Sequence, residues 1–407
     1  MNMPRERSLM PCGPSALCAA LVLVPVLAVS VPAPDQAGAS SVGPQQPESA
    51  VSARVIGLEK LPQQAPLGGT GIRTARWATA RFETLGVTWR GDAPTRIEVR
   101  TRGNGTWSRW RALHLLGRHA ADAAVGAGEP HADGSATEPL WVGPSHGVQV
   151  QMAGGTPGST RLVLIDPGTQ AGDTASADSL PRHAPRSLTR APQPRIRSRK
   201  AWGAHESWRT GRPQYNATIK QAHIHHTAGT NRYTRSDVPA IIRGDYWYHT
   251  RVLGWSDLGY NFVVDKFGRI WAGRAGGIRR AVLGAHTLGF NHASFGVAAL
   301  GNFSRAKPRP RLVRALVRLT AWKLDRYGRQ PAGRTTMTSR GSDRYRSGQR
   351  VVLPVIAGHR DTNQTACPGG RLYRRLPTIR RRAQQRAHTI FLPGPLSASA
   401  SRWRRQP

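Results

Sequence analysis

Residues 40–170 alternate short apolar runs with glycine, proline and aspartate breaks. The runs lie at 82–89, 96–100, 147–151 and 161–165. Apolar or alternating segments of about four to eight residues that end at turn residues are typical of β-strands. Several such strands in close succession predict an all-β, sandwich-like domain over residues 40–170.

Residues 201–390 show a different pattern, in which strand signals alternate with helical ones. The helical spacing is clearest at 309–327, where only Lys323 interrupts one apolar face. A second helix is predicted at 236–253, and strands are predicted at 222–227, 260–264, 269–272, 294–300 and 351–356. Strands interleaved with helices predict an α/β domain with a mixed central sheet flanked by helices.

The first residues resemble a targeting segment more than a folded element. Arg5 and Arg7 precede an apolar run at 16–29, and the small residues Ala37-Gly38-Ala39 follow it. A basic start, an apolar middle and an A-x-A end predict a secretory signal peptide at 1–39, and therefore a secreted, wall-associated or otherwise exported protein. A membrane anchor is the alternative, although Pro25 breaks the apolar run.

Basic residues are concentrated in the C-terminal half of the chain. The 59 Lys and Arg against 22 Asp and Glu give a formal net charge of +37, and residues 171–407 alone carry +34 of it. Residues 171–200 are rich in proline, serine and arginine and predict a linker, while 391–407 form a basic C-terminal tail. The excess predicts a polyanionic neighbour, although an arginine-rich composition also follows from GC-rich coding.

The cysteines exclude a disulfide-stapled scaffold, because the chain has only Cys12, Cys18 and Cys367. Removal of a signal peptide would leave Cys367 as the only cysteine of the mature protein. A lone thiol outside the cell needs another reason to exist, and metal ligation is one.

Candidate zinc ligands lie at strand ends and in loops of the α/β domain. His225 or His226 ends a predicted strand, and His359 and Cys367 are eight positions apart. A loop of that length can return the thiolate towards the imidazole. Two imidazoles and one thiolate leave a fourth tetrahedral position for water, which is the arrangement of a catalytic zinc site.

Residues 201–380 resemble zinc amidases of the peptidoglycan recognition protein type, which are related to phage lysozyme-like N-acetylmuramoyl-L-alanine amidases. The motifs that carry the resemblance occur in order: IHHTAG at 224–229, GWSDLGYNF at 254–262, GAHTLGFN at 284–291, SFGV at 294–297 and GHRDTNQTACP at 358–368. The resemblance implies hydrolysis of the amide that joins N-acetylmuramic acid to L-alanine in peptidoglycan.

The resemblance also implies roles for individual residues. It assigns Zn²⁺ to His225, His359 and Cys367, and it makes Tyr260 and Thr365 the catalytic residues. Thr365 stands where the phage enzymes carry lysine and where the recognition proteins commonly have threonine. Non-enzymatic members usually lack the cysteine ligand, which this chain keeps.

Four further residues are predicted to contact the substrate. His226 would lie beside the metal, and Thr227 would form a wall of the substrate-binding groove. His286 and Asn291 would lie in a loop next to that groove. For His286 and Asn291 the alternative is ordinary turn chemistry, since asparagine and glycine are the usual turn residues.

Other functions are weaker alternatives. A non-catalytic peptidoglycan-binding protein would not need the cysteine ligand, and no nucleic-acid-binding motif accompanies the positive charge. Cysteine proteolysis by Cys367 is disfavoured by Pro368 directly after the thiol. No glutamate follows Glu206, which excludes a thermolysin-like helix and leaves the proton donor open between Tyr260, a histidine and water. We expect a monomer that binds peptidoglycan and anionic wall polymers, with no nucleic acid and no stable membrane insertion after signal removal.

The charge distribution predicts that binding to purified cell wall weakens steeply with salt, because exposed charges are screened within about 8–10 Å at 0.1–0.15 M ionic strength. Deletion of residues 393–407 should weaken binding further. Co-sedimentation with purified wall across a salt series measures both effects. Binding that does not change with salt would assign the arginine excess to codon usage.

Overall fold

The computed structural model describes residues 49–64, 71–116, 134–155, 157–174 and 191–388. Within them an all-β domain precedes an α/β domain. The predicted signal peptide and the basic tail lie outside the described residues. No helix in the described ranges has both the length and the hydropathy that a membrane span requires.

The N-terminal domain is built from antiparallel strands. They are β1 Ser52–Gly57, β2 Gly71–Arg73, β3 Trp77–Gly91, β4 Arg96–Gly103, β5 Thr106–Trp107, β6 Arg111–Ala112, β7 Leu115–Leu116, β8 Gly134–Thr137, β9 Leu140–Ala153 and β10 Pro157–Asp166. The central order is β1-β10-β3-β9-β4-β5, with β2, β6, β7 and β8 attached at the side. The predicted all-β class is confirmed, and the four apolar runs fall within β3, β4, β9 and β10.

The C-terminal domain alternates strands and helices. It contains α1 Ala171–Thr174, β11 Ile196–Arg197, β12 Gln221–His226, α2 Asp237–Trp247, β13 Phe262–Val264, β14 Ile270–Ala272, β15 Ser294–Ala299, α3 Pro310–Asp325, β16 Arg334–Thr338, β17 Arg350–Pro354, β18 Ile356–Gly358, α4 Gly370–Tyr373 and α5 Leu376–His388. The central sheet has the order β11-β14-β13-β15-β12-β18. Only β13 and β14 pair in an antiparallel manner, so the predicted mixed α/β sheet is confirmed.

Two boundaries differ from the sequence prediction. The strand predicted at 351–356 is two strands, because Val355 leaves β17 to bond with both Gly333 and Ala222. β17 pairs with β16 in a separate two-stranded sheet, and β18 joins the central sheet. The predicted linker ends early, since Ile196 and Arg197 already pair with β14. Of that linker, residues 175–190 lie outside the described ranges.

Helices cover both faces of the central sheet. Apolar side chains of α3 and α5 pack with those of β12, β13 and β15 on one face. α2 packs on the other face with Trp202 and Trp271. Lys323, the one polar break in the stripe of α3, is buried and donates from Nζ to the carbonyl oxygens of Ile278 and Arg280 at 2.7 Å each. The buried ammonium is therefore satisfied by backbone oxygens.

The N-terminal domain packs directly against α2 and the residues after it. Trp141 of β9 is 4 % exposed and belongs to the same apolar cluster as Trp202. A Cβ at Gly86 of β3 would lie 2.4 Å from the side chain of Tyr248, so this contact requires glycine. Sharing of core residues of this kind makes the interface a continuation of both cores.

Arg243 of α2 is the polar centre of this interface. Its side chain has no exposed surface and forms a bidentate ion pair with Asp173, at 2.8 and 2.6 Å. The guanidinium also donates to the carbonyl oxygens of Pro167, Gly168 and Trp202. One arginine therefore ties the end of the β-domain to the α/β domain.

Replacement of Arg243 by Ala should lower the free energy of unfolding by about 3–5 kcal/mol, because Asp173 loses its ion-pair partner and the carbonyl oxygens of Pro167, Gly168 and Trp202 lose this donor. Urea unfolding followed by tryptophan fluorescence measures the loss. Arg314→Ala, at an exposed position on α3, is the control and should change it little. Equal stability of the two variants would contradict a structural role for Arg243.

Candidate metal centre

Two neighbouring parallel strands bring two histidines together. β12 and β18 pair in register, with Ile224 opposite Gly358. His225 and His359 follow these two residues, and their rings lie 4.6 Å apart between centroids. Because the carboxyl ends of parallel strands share one edge of the sheet, residues far apart in sequence meet there.

The loop after β18 returns the cysteine to the same point. The Cys367 thiol is 1 % exposed, and its Sγ lies 3.8 Å from Nδ1 of His225. The donor atoms of His225, His359 and Cys367 all lie within 4.8 Å of one another. In a tetrahedral zinc site with ordinary bond lengths, a sulfur and a nitrogen ligand are about 3.6 Å apart. The three side chains therefore fit a zinc ion.

Hydrogen bonding fixes the orientation of the first imidazole. Nε2 of His225 and Nδ1 of His286 are 3.2 Å apart, which leaves Nδ1 of His225 facing the sulfur of Cys367. Nδ1 of His359 is buried and has no hydrogen-bond partner among the described residues. A buried ring nitrogen with no other hydrogen-bond partner, next to a thiol and a second imidazole nitrogen, is a suitable metal ligand.

The electrostatics of the centre favour neutral imidazoles. Burial lowers the pKa of His225 well below its usual range, and the neighbouring His359 and His286 add to the effect. Burial also lowers the pKa of His359 to about 3. Neutral imidazole is the form that binds metal. Burial raises the pKa of the Cys367 thiol, while the backbone N–H of His226, which donates to its Sγ at 3.4 Å, opposes that change.

His226 at the end of β12 and Thr227 directly after it both accept hydrogen bonds from backbone N–H groups of the protein. His226 is 2 % exposed, and its Nδ1 accepts from the backbone N–H of Phe303 at 3.2 Å. The Thr227 hydroxyl accepts from the backbone N–H of Gly301 at 3.1 Å. His226 thus lies beside the thiol with its ring turned towards Phe303. Substrate contact by His226 and Thr227 stays a prediction.

The two predicted catalytic residues flank the centre from different sides. The Tyr260 ring lies 5.3 Å from the His225 ring between centroids, and burial raises the pKa of its phenol well above the usual range. The Thr365 Oγ1 accepts from the backbone N–H of Cys367 at 3.1 Å. Both therefore lie close to the candidate ligands, and their catalytic roles stay predictions.

His286 bonds to the candidate ligand His225, and Asn291 holds the loop that carries His286. His286 is 6 % exposed and bonds to His225, as described above. Asn291 has no exposed surface, and its Oδ1 accepts from the backbone N–H groups of His286 and Thr287. Asn291 therefore performs the turn chemistry that the sequence left as the alternative. The substrate contacts predicted for His286 and Asn291 stay predictions.

His223, which lies close to His286 next to the centre, was not singled out from the sequence. His223 is fully buried, and its ring lies 5.7 Å from that of His286. His223 and His225 are two positions apart on β12, so both side chains lie on the same face of the sheet. This spacing is the sequence signal that could have identified His223. His249, by contrast, has contacts of a structural kind, because its Nδ1 accepts from the backbone N–H of Gly259 and its ring packs against Trp255 at 4.5 Å between centroids.

Two family models match the chain. The N-acetylmuramoyl-L-alanine amidase model matches residues 215–370. The model described as Rv3811 N-terminal galactose-binding domain-like matches residues 44–185. The matched ranges correspond to the α/β domain and to the all-β domain.

Known proteins are similar over about half of the chain. Peptidoglycan-recognition protein SC1a of Drosophila melanogaster is 29% identical over 177 residues, which cover 43% of this chain and 80% of the relative. The human N-acetylmuramoyl-L-alanine amidase is 31% identical over 219 residues, which cover 53% of this chain and 32% of the relative. Among solved structures, wild-type Drosophila PGRP-LB is 26% identical, with a TM-score of 0.36, 45% of this chain covered and 92% of that chain covered.

Loss of the His286 acceptor should weaken metal binding. His286→Ala should lower the zinc affinity about 10–100-fold, because the His225 ring loses the bond that fixes its tautomer. His286→Asn, which offers an oxygen acceptor at a similar place, should retain more of the affinity. Competition with a chromophoric chelator measures both, with the exposed His146→Ala as the control. Native affinity in both His286 variants would contradict the orienting role.

Proposed function

We propose that this chain, whose α/β domain belongs to the N-acetylmuramoyl-L-alanine amidase family together with the peptidoglycan recognition proteins, is a zinc-dependent peptidoglycan amidase. It cleaves the amide between N-acetylmuramic acid and L-alanine. The observation that carries the proposal is the meeting of the His225, His359 and Cys367 donor atoms within 4.8 Å. The family match and the human amidase among the relatives support the choice of reaction.

The side chains around the centre suit amide hydrolysis. Bound zinc supplies an activated water and polarises the amide carbonyl. Thr365 and Tyr260 are hydroxyl donors near that point, and donors fixed in advance stabilise the oxyanion that develops at the carbonyl oxygen. Tyr260 and Cys367 are both buried, and a site that excludes bulk water strengthens such hydrogen bonds.

A non-catalytic peptidoglycan-binding protein is the second candidate. Peptidoglycan recognition proteins among the relatives favour binding as such. The cysteine favours catalysis, because the Cys367 thiol is buried beside the imidazoles of His225 and His359, where it is placed to act as a metal ligand. We also propose that the protein acts as a monomer outside the cell, where the wall is both substrate and anionic partner for the arginine-rich half.

Digestion of purified wall separates hydrolysis from binding. The native protein loaded with zinc should release stem peptides with an L-alanine amino terminus, and a chelator should abolish the release. Cys367→Ala should reduce turnover by at least about 100-fold, because the site loses its thiolate ligand. Mass spectrometry of the soluble products measures the outcome.

The control is His146→Ala, an exposed histidine of the N-terminal domain that should digest wall as the native protein does. Wall binding without peptide release by zinc-loaded native protein would support the binding protein instead. Glycan fragments with peptides still attached would refute the amidase reaction.

A further inference from the structure

Two short paired strands at the side of the N-terminal sheet end next to the candidate metal centre. β7 and β8 pair in an antiparallel manner, so His114 before β7 and Glu138 after β8 lie at the same end of this strand pair. The Glu138 backbone N–H donates to the His114 carbonyl oxygen at 2.8 Å. The two side chains therefore leave the N-terminal domain at one point.

His114 contacts the loop that carries the cysteine ligand. Its Nε2 lies 2.9 Å from Oγ1 of Thr365, the same oxygen that accepts from the Cys367 backbone N–H. This hydrogen bond joins residues 251 positions apart in the chain. Thr365 is thus held from one side by its own loop and from the other by the N-terminal domain.

Glu138 brings a carboxyl group to the same place. The residue is 9 % exposed, and its carboxyl group has no hydrogen bond or ion pair within the described part of the chain. Burial raises its pKa, and its charge in turn raises the pKa of both Cys367 and Tyr260. Because Glu138 lies directly across the strand pair from His114, its side chain is on the side of the N-terminal domain that contacts the loop of Thr365 and Cys367.

Most acids of the α/β domain near the sheet are held by other partners. It has no glutamate after Glu206, which pairs with Arg199 and Arg209, and the buried Asp257 and Asp265 pair with Arg199 and Arg269. Asp245 of α2 is also buried, but Glu138 lies opposite His114, which bonds to the loop that carries Cys367. Amide hydrolysis needs a group that moves a proton to the leaving nitrogen. The buried carboxyl group of Glu138, from the N-terminal domain, is suited to this step.

We propose that the N-terminal domain completes the hydrolytic site, with Glu138 as its acid–base residue and His114 as a positioning residue for Thr365. This inference rests on the amidase function proposed above. Glu138 accepts one proton from the attacking water as the oxygen–carbon bond forms. It passes that proton to the amide nitrogen as the carbon–nitrogen bond breaks, so the carboxylate is restored while a carboxylic acid and a free amine leave.

The test of Glu138 is Glu138→Gln, which keeps the shape of the side chain but cannot carry the proton. We expect kcat to fall by about 10²–10⁴-fold, while KM, zinc content and thermal midpoint stay close to native. Equilibrium binding of a purified muropeptide to the variant should also remain native. The matched control is Glu59→Gln, an exposed glutamate of the same domain, which should retain the native kcat.

Two results would overturn the role of Glu138. The first is a kcat of Glu138→Gln within about threefold of native. The second is a loss that appears only as weaker muropeptide binding and a higher KM, which would make Glu138 a binding residue. If native protein releases no peptide, the amidase proposal itself fails. If native protein is active and Glu138→Gln keeps its rate, only the present inference fails.

The test of His114 is a double-mutant cycle with Thr365. Since His114 acts through the Thr365 hydroxyl, His114→Ala should lower kcat in the native background and add no further loss in Thr365→Val. His114→Gln, which restores a hydrogen-bonding group near Nε2, should recover part of the rate. Losses that multiply in the double variant, or no recovery with glutamine, would overturn the positioning role.

Discussion

The parallel pairing of β12 with β18 is the constraint on which the site depends. It sets His225 beside His359 at the carboxyl edge of the sheet, and the loop that follows His359 then needs to return only eight residues to place Cys367. His286 fixes the first ring from behind. A slip of this register by one residue would turn a ligand to the opposite face of the sheet, and no zinc site would form.

The region of the candidate ligands was predictable from sequence, but the choice between His225 and His226 came from the family resemblance. Both histidines stand at the end of a predicted strand, and the short segment from His359 to Cys367 carries its own turn residues. The mixed α/β class followed from alternating helical and strand patterns, and all-β character followed from short apolar runs. The break at Val355 did not, since its hydrogen bonds go to Gly333 and Ala222, which are distant in the chain.

The local sequence pattern could not predict the contacts of His114, Glu138 and Arg243. Each acts on a partner that lies about 70 to 250 positions away, and nothing in the residues around it marks that partner. Periodicity reports which face of an element is buried but not which other domain covers it. The sequence left Asn291 open between a turn role and substrate contact for a related reason, because turn and ligand residues share one composition.

Trp141 makes the two domains depend on each other for packing. Its indole fills the core of the α/β domain although it belongs to a strand of the N-terminal domain. Removal of the β-domain, or its exchange for another module, would leave an apolar cavity in the α/β domain. A truncation or fusion that is meant to keep the α/β domain folded therefore has to keep this strand or replace its indole.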